Sequence, residues 1–235
     1  MSRFYFKQFS LAHEESTIKV GTDAVLLGSW AQVSQADNIL DIGCGCGIIS
    51  LMAAQKSKAH ILGIDIDAAS IHESKENTLL SPWKERIDFC CISLQSFIQN
   101  TNQGFDCIIS NPPFFENSLK PHQHKKNIGK HNIFLSLEDL CFAVSRLLTP
   151  NGTFYTILPL PTFNKFIKIC ENVALFTSNI CYVKSFPDKA AHRIMLAIKK
   201  EKTLYSVEFL NIRESNNLYS EDYVRLTKEF YLNLQ

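Results

Sequence analysis

Two groups of residues in this chain have the types and spacing to do chemistry. The first is Asn111-Pro112-Pro113-Phe114, which follows the apolar run Cys107-Ile108-Ile109. Two consecutive prolines surrender two backbone donors and lock φ, so this stretch holds its shape without a ladder of its own. Asn111 is thereby fixed where a strand ends, beside aromatic rings, and in open α/β sheets ligands bind at that edge. The second group is Asp41-Ile-Gly43-Cys-Gly45-Cys-Gly47, with Asp65 ending the following apolar run. Glycines at alternate positions permit a sharp turn and let a ligand touch the backbone. The spacing G-x-G-x-G differs from the G-x-G-x-x-G of dinucleotide sites. A carboxylate such as Asp65, one strand on, can accept both hydroxyls of a ribose. Together these features imply a nucleoside-containing cofactor and leave NAD and S-adenosylmethionine both open.

The elements that must position these residues follow a β-α rhythm from Asn38 onward. Apolar strands are expected at 38–43, 60–66, 86–92, 105–110 and 152–159, with helices at 47–56, 67–81 and 135–150. Asp67 and Ser136 are expected to cap the second and third helices, and Pro150-Asn151-Gly152 to stop the third. Residues 178–186 and 193–200 read as an antiparallel strand pair at one sheet edge. Residues 204–212 look strand-like, and 220–232 form an amphipathic helix. Alternation of this kind implies a parallel sheet with helices on both faces.

One stretch breaks the rhythm. Residues 116–134 lack periodicity and carry Lys120, Lys125, Lys126 and Lys130 against Glu116 alone, a net +3. A solvated loop and a phosphate-contacting loop are both compatible with that composition.

Bulk properties set the outer limits. A chain of 235 residues, 46% hydrophobic and 20% charged, suits a globular domain with a sizeable core. A net charge of +1 gives no global field for nucleic acid, so such a partner must be held by local patches. No run approaches a membrane span, and the first residues lack a signal-peptide core, so a cytoplasmic location is expected. The eight cysteines include no C-x-x-C pair and no histidine spaced to complete a zinc site, so reduced core thiols and no bound metal are expected.

The "SNPPFF" stretch resembles the signature of class I S-adenosylmethionine-dependent methyltransferases that act on planar nitrogen. An exocyclic amine conjugated to a ring is a poor nucleophile because its lone pair is delocalised. The Asn111 side-chain oxygen and the Pro112 carbonyl can each accept one N–H. They orient the lone pair and favour pyramidal nitrogen as the bond forms. Phe114 can stack on the target base.

The segment "KVGTDAVLLGSW" (19–30) further resembles the bacterial methyltransferases that modify N6 of adenine 37 in a valine tRNA. The likeness continues through "NILDIGCGCGIISLMAAQ", "FDCIISNPPFF" and "DYVRLTKEFYL". It implies a Rossmann-like α/β fold with a mostly parallel seven-stranded sheet and an antiparallel C-terminal edge pair. It also implies one domain over 1–235, in which residues 1–36 cap a catalytic core of 37–235. By the same resemblance, Lys19, Gly21, Thr22 and Asp23 cover the methionine end of S-adenosylmethionine. Asp41, Gly43, Gly45 and Gly47 hold its methionine part and ribose, and Asp65 binds the ribose hydroxyls. Asn111, Pro112, Pro113 and Phe114 form the target-base site. Many relatives place an Asp after the third strand to bind the adenine amino group. Here Ser93 stands there, as a weaker neutral acceptor or as a helix cap. The implied partner is tRNA and the implied acting unit a monomer. Candidate phosphate contacts outside the 116–134 loop are Lys165, Lys168, Lys184, Lys189 and Arg193. Glutamine side-chain and rRNA guanine-N2 methylation are the alternative chemistries, and a dehydrogenase would leave the Asn-Pro-Pro site unexplained.

Overall fold

A computed structural model describes residues 3–14, 21–113 and 135–233. Its centre is a sheet of eight strands: β3 (Asn38–Ile42), β4 (His60–Asp65), β5 (Ile87–Cys91), β6 (Phe105–Ser110), β7 (Leu148–Pro159), β8 (Phe176–Lys184), β9 (Arg193–Lys199) and β10 (Ser206–Asn211). Their order is β10-β8-β9-β7-β6-β3-β4-β5, and only β9 runs against the others. The two remaining strands, β1 (Arg3–Tyr5) and β2 (Ser10–Ala12), form a separate antiparallel hairpin.

The central strands β3 and β6 are buried on both sides because helices cover both faces there. On one face lie α1 (Thr22–Trp30), α2 (Ile48–Lys56), α3 (Ala68–Leu79) and α7 (Glu221–Thr227), packed over Ile39, Ile61 and Ile109. On the other lie α4 (Leu94–Asn100), α5 (Leu137–Leu147) and α6 (Phe163–Asn172), packed over Leu40, Ile42 and Ile108. Asp67 and Ser136 cap α3 and α5 as their positions predict, each oxygen accepting backbone N–H groups of the first turn.

Three features differ from the sequence reading. The sheet has eight strands, because the strand-like run near 204–212 joins it as β10, parallel to β8. The antiparallel pair is therefore internal: β9 lies between β7 and β8, and β10 takes the edge. The third expected helix ends at Leu147, and β7 begins at Leu148, ahead of Pro150. A break in register lets the strand carry this proline. Phe105 faces Leu148, yet Cys107 already faces Thr153, so residues 149–152 bulge from the ladder.

The N-terminal hairpin is secured by one polar side chain. Asn77 of α3, fully buried, accepts from the Ala12 N–H at 2.8 Å and donates to the Ala12 carbonyl at 2.8 Å. It also donates to the Cys46 carbonyl at 3.0 Å and accepts from Arg3 at 3.3 Å. One turn earlier on the same helix, buried Glu73 accepts the Glu14 N–H at 2.8 Å. An amide supplies an acceptor oxygen and two N–H donors at once, whereas an ionised carboxylate has no donor and a hydroxyl only one. Asn77→Ala strands buried backbone groups on two segments and should lower unfolding stability by about 2–4 kcal/mol. Urea denaturation measures the loss, and limited proteolysis should show faster cleavage ahead of Gly21. A loss under about 1 kcal/mol with unchanged proteolysis would count against this anchoring.

Candidate functional site

The chain reverses its strand order between β3 and β6, so the crevice at their C-terminal ends is the place where such sheets take ligands. Both candidate groups sit there. Ile42 of β3 lies opposite Ser110 of β6, which sets the glycine turn beside Asn111. The Ser110 hydroxyl fixes this alignment by donating to the Ile42 carbonyl at 2.9 Å within the core.

The turn between β3 and α2 has three glycines with left-handed φ: Gly43 at 71°, Gly45 at 53° and Gly47 at 83°. Their reasons differ. A Cβ on Gly47 would meet Phe89 at 3.0 Å and Ser74 at 3.1 Å, so this glycine is needed for packing as well as for φ. A Cβ on Gly43 or Gly45 would meet nothing within 4 Å, so these two open onto free space. The Ile64 carbonyl accepts from Gly43 and Cys44 N–H, and the Asp65 carboxylate accepts from Gly45 N–H at 3.0 Å and Asp67 N–H at 2.9 Å. Asp65 is thus aimed by the turn itself, with one N–H on each oxygen and further lone pairs left for hydroxyls. Cys44 and Cys46 are buried and outside any disulfide, in keeping with core thiols.

Beneath the turn, Asp41 is fully buried on the α2 face of β3. Ser50 of α2 donates to its Oδ2 at 2.7 Å, while Oδ1 has no partner among the described residues. Burial raises its pKa from the ordinary carboxylate range to about 7; the Ser50 hydrogen bonds oppose this and the Asp65 charge adds to it.

At the other wall, Asn111 is half-buried, Pro112 buried and Pro113 exposed. Among the described residues no hydrogen bond to the Asn111 side chain is present. Phe114 and the basic 116–134 loop lie outside the described residues, as does Lys19. Gly21 precedes α1 in extended conformation, followed by Thr22 and Asp23 in its first turn. Asp23 accepts from Arg193 Nε at 2.8 Å. Because Arg193 begins β9 opposite Pro159, at the end of β7, this pair pins the start of α1 to the same sheet edge. Ser93, two residues beyond β5, caps α4 by accepting from Ser96 N–H at 3.1 Å. The cap is one of the two roles its position allows.

Asn77 and Glu73 are the supporting residues that motif reading does not find, while Arg193, expected among the phosphate contacts, is the partner of Asp23. The i, i+4 placement of an acid and an amide in the otherwise polar α3 is the one hint in the sequence.

Asp41 yields a measurable signature. Between about pH 4 and pH 7 the folded protein holds a proton on Asp41 that the unfolded chain has released. Its contribution to stability is therefore most favourable at low pH and falls as pH rises through 7, by on the order of 4 kcal/mol in all. Asp41→Asn removes this titration and keeps an acceptor for Ser50. Its melting temperature relative to wild type should rise from pH 5 to about pH 7 and level off by pH 8. A difference that stays constant with pH would show that Asp41 is charged throughout.

The chain matches the methyltransferase small domain over residues 14–156. It is 41% identical over 232 residues, 98% of both chains, to the tRNA1(Val) (adenine(37)-N6)-methyltransferase of Phocaeicola vulgatus. It is 38% identical over the whole of both chains to the protein of that name from Pseudoalteromonas translucida. Among solved structures, a predicted O-methyltransferase from Agrobacterium tumefaciens superposes with a TM-score of 0.69 at 17% identity, covering 88% of this chain and 96% of that one. A Pyrococcus horikoshii protein described as a putative RNA methyltransferase gives 0.57 at 16%, covering 81% and 88%. These two likenesses establish the Rossmann-like methyltransferase fold.

Proposed function

Because the chain belongs to the tRNA1(Val) (adenine(37)-N6)-methyltransferase family, we propose that it methylates the exocyclic N6 of an adenine in tRNA, adenine 37 of a valine tRNA being the expected target. The observation that carries the reading is the placement of Asn111 and the glycine turn side by side, on adjacent strands at the switch point.

The cofactor in this reading is S-adenosylmethionine. The open space over Gly43 and Gly45 and the aimed Asp65 carboxylate fit a group that brings a ribose and a methionine to one turn. Asp41, Gly43, Gly45 and Gly47 shape the cradle, Asp65 takes the ribose hydroxyls, and Ser93 lies toward the adenine end. Lys19, Gly21, Thr22 and Asp23 cover the methionine end, with Asp23 acting through its hold on Arg193. When bound, the cofactor supplies a methyl group on a positively charged sulfur. In this scheme residues 1–36 act as a cap on a catalytic core of 37–235.

The protein's own work is to hold the amine. The Asn111 Oδ1 and Pro112 carbonyl each accept one N–H of the adenine amino group, which turns its lone pair out of conjugation. One of those protons leaves for solvent as the new N–C bond forms, so no strong general base is required. Pro113 keeps the two acceptors at fixed separation, and Phe114 offers a stacking face. A single-stranded loop suits this arrangement, because the base must leave its stack to enter. The reading sets the reaction in the cytoplasm with a monomer as acting unit.

The test is transfer of labelled methyl to tRNA that lacks the modification, followed by nucleoside analysis. Label is expected in N6-methyladenosine; label in guanosine or in protein glutamine would overturn the assignment. Asn111→Ala should lower kcat by about 10²–10³-fold while cofactor binding stays within a few fold. Unimpaired turnover would remove Asn111 from its role.

A further inference from the structure

Beyond the target-base pocket, one exposed surface has the chemistry to hold RNA. At the outer edge of the sheet, β10 turns Phe209 and Val207 toward the α6 face, where they lie opposite Tyr182 and Ile180 of β8. Phe209 is 64% exposed and Val207 48%, and the preceding Tyr205 is 59% exposed. The Phe209 ring stacks on Tyr182 at 5.4 Å and 20°, and Tyr182 meets Phe163 edge-on at 6.4 Å and 70°. Phe163 opens α6 just after β7 ends, next to the strand that delivers Asn111. The three rings thus form a row leading outward from the ligand edge to the rim of the sheet.

Charge identifies what this row would meet. Residues 160–192, which supply α6, β8 and the turn into β9, carry a net +2 in a chain whose total is +1, and Arg193 just beyond them is held by Asp23. Lys165 and Lys168 stand on α6 and Lys184 at the end of β8. Lys165 shares Glu138 at 3.3 Å across an exposed contact, which water and salt weaken. Open aromatic rings with cations beside them match bases with phosphates between them, since every base has a π-face. An edge strand covered by another protein would call for apolar contact and no excess of cations.

We propose that the Phe163–Tyr182–Phe209 row is a docking surface for the RNA that supplies the target base, with Phe209 stacking on an unpaired nucleotide flanking the target. This rests on the tRNA reading above and deepens it. The row lies on β8, α6 and β10, and none of its residues belongs to the Asn-Pro-Pro site.

Phe209 is exposed, so its replacement leaves the core intact. Methyl transfer to an unmodified valine tRNA transcript should be compared for wild type, Phe209→Ala, Phe209→Leu and Phe209→Trp, with cofactor affinity and sedimentation measured alongside. The Ala and Leu variants should raise the KM for RNA roughly tenfold or more. Trp should remain near wild type, and kcat and cofactor affinity should not change. An unchanged KM in a wild type that methylates the transcript overturns this inference alone. A Leu variant that behaves as wild type, or self-association that Phe209→Ala abolishes, assigns the surface to a second copy of the chain instead. A wild type that methylates no RNA overturns the substrate reading and this inference with it.

Discussion

The structure depends on one constraint: the chain must leave a strand buried on both faces and enter a helix buried against the same sheet within five residues. Side chains forbid that path, because three of the five backbone positions take left-handed φ. The turn is then held from beneath by the Ile64 carbonyl and from the side by Asp65. The same contacts that let the chain turn also aim the carboxylate, so folding and ligand geometry are solved by one set of bonds. Asp41 shows the other side of this economy. A carboxylate buried under the turn resists ionisation, and the fold tolerates it through the Ser50 hydroxyl.

The second organising contact is α3. Asn77 and Glu73 reach back to residues 12 and 14, and Asn77 also touches the turn through Cys46. A helix that looks merely polar in sequence is therefore a bracket holding the N-terminal segment against the site. The Asp23–Arg193 pair does the same from the opposite side, so the start of α1 is tied to the sheet edge at a point 170 residues away in sequence.

Local signals made much of this legible. Alternating apolar runs gave the parallel strands, capping residues marked α3 and α5, and the glycine turn and Asn-Pro-Pro stretch located both walls of the crevice. What stayed hidden was non-local. Nothing in residues 204–212 says that they pair with β8 in parallel, because an edge strand of mixed exposure has no pattern naming its neighbour. Pro150 suggested a boundary that the bulge at 149–152 moved. Asn77 drew no notice, and Arg193 suggested a phosphate contact and not the partner of Asp23, because a hydrogen bond between distant segments leaves no spacing rule behind. Ser93 read two ways, and the cap on α4 accounts for one of them.

The lone antiparallel strand has a consequence for the order in which the molecule can be made. β8 touches the sheet only through β9 and β10, both of which follow it in the chain. As the polypeptide leaves the ribosome, β8 has no sheet partner until residues 193–199 emerge and fill the gap beside β7. Until then the β7 edge stays open, its main-chain groups unpaired. The last forty or so residues thus close the sheet after the crevice strands have been laid down, and a nascent chain stalled before Arg193 presents an unprotected β-edge to chaperones.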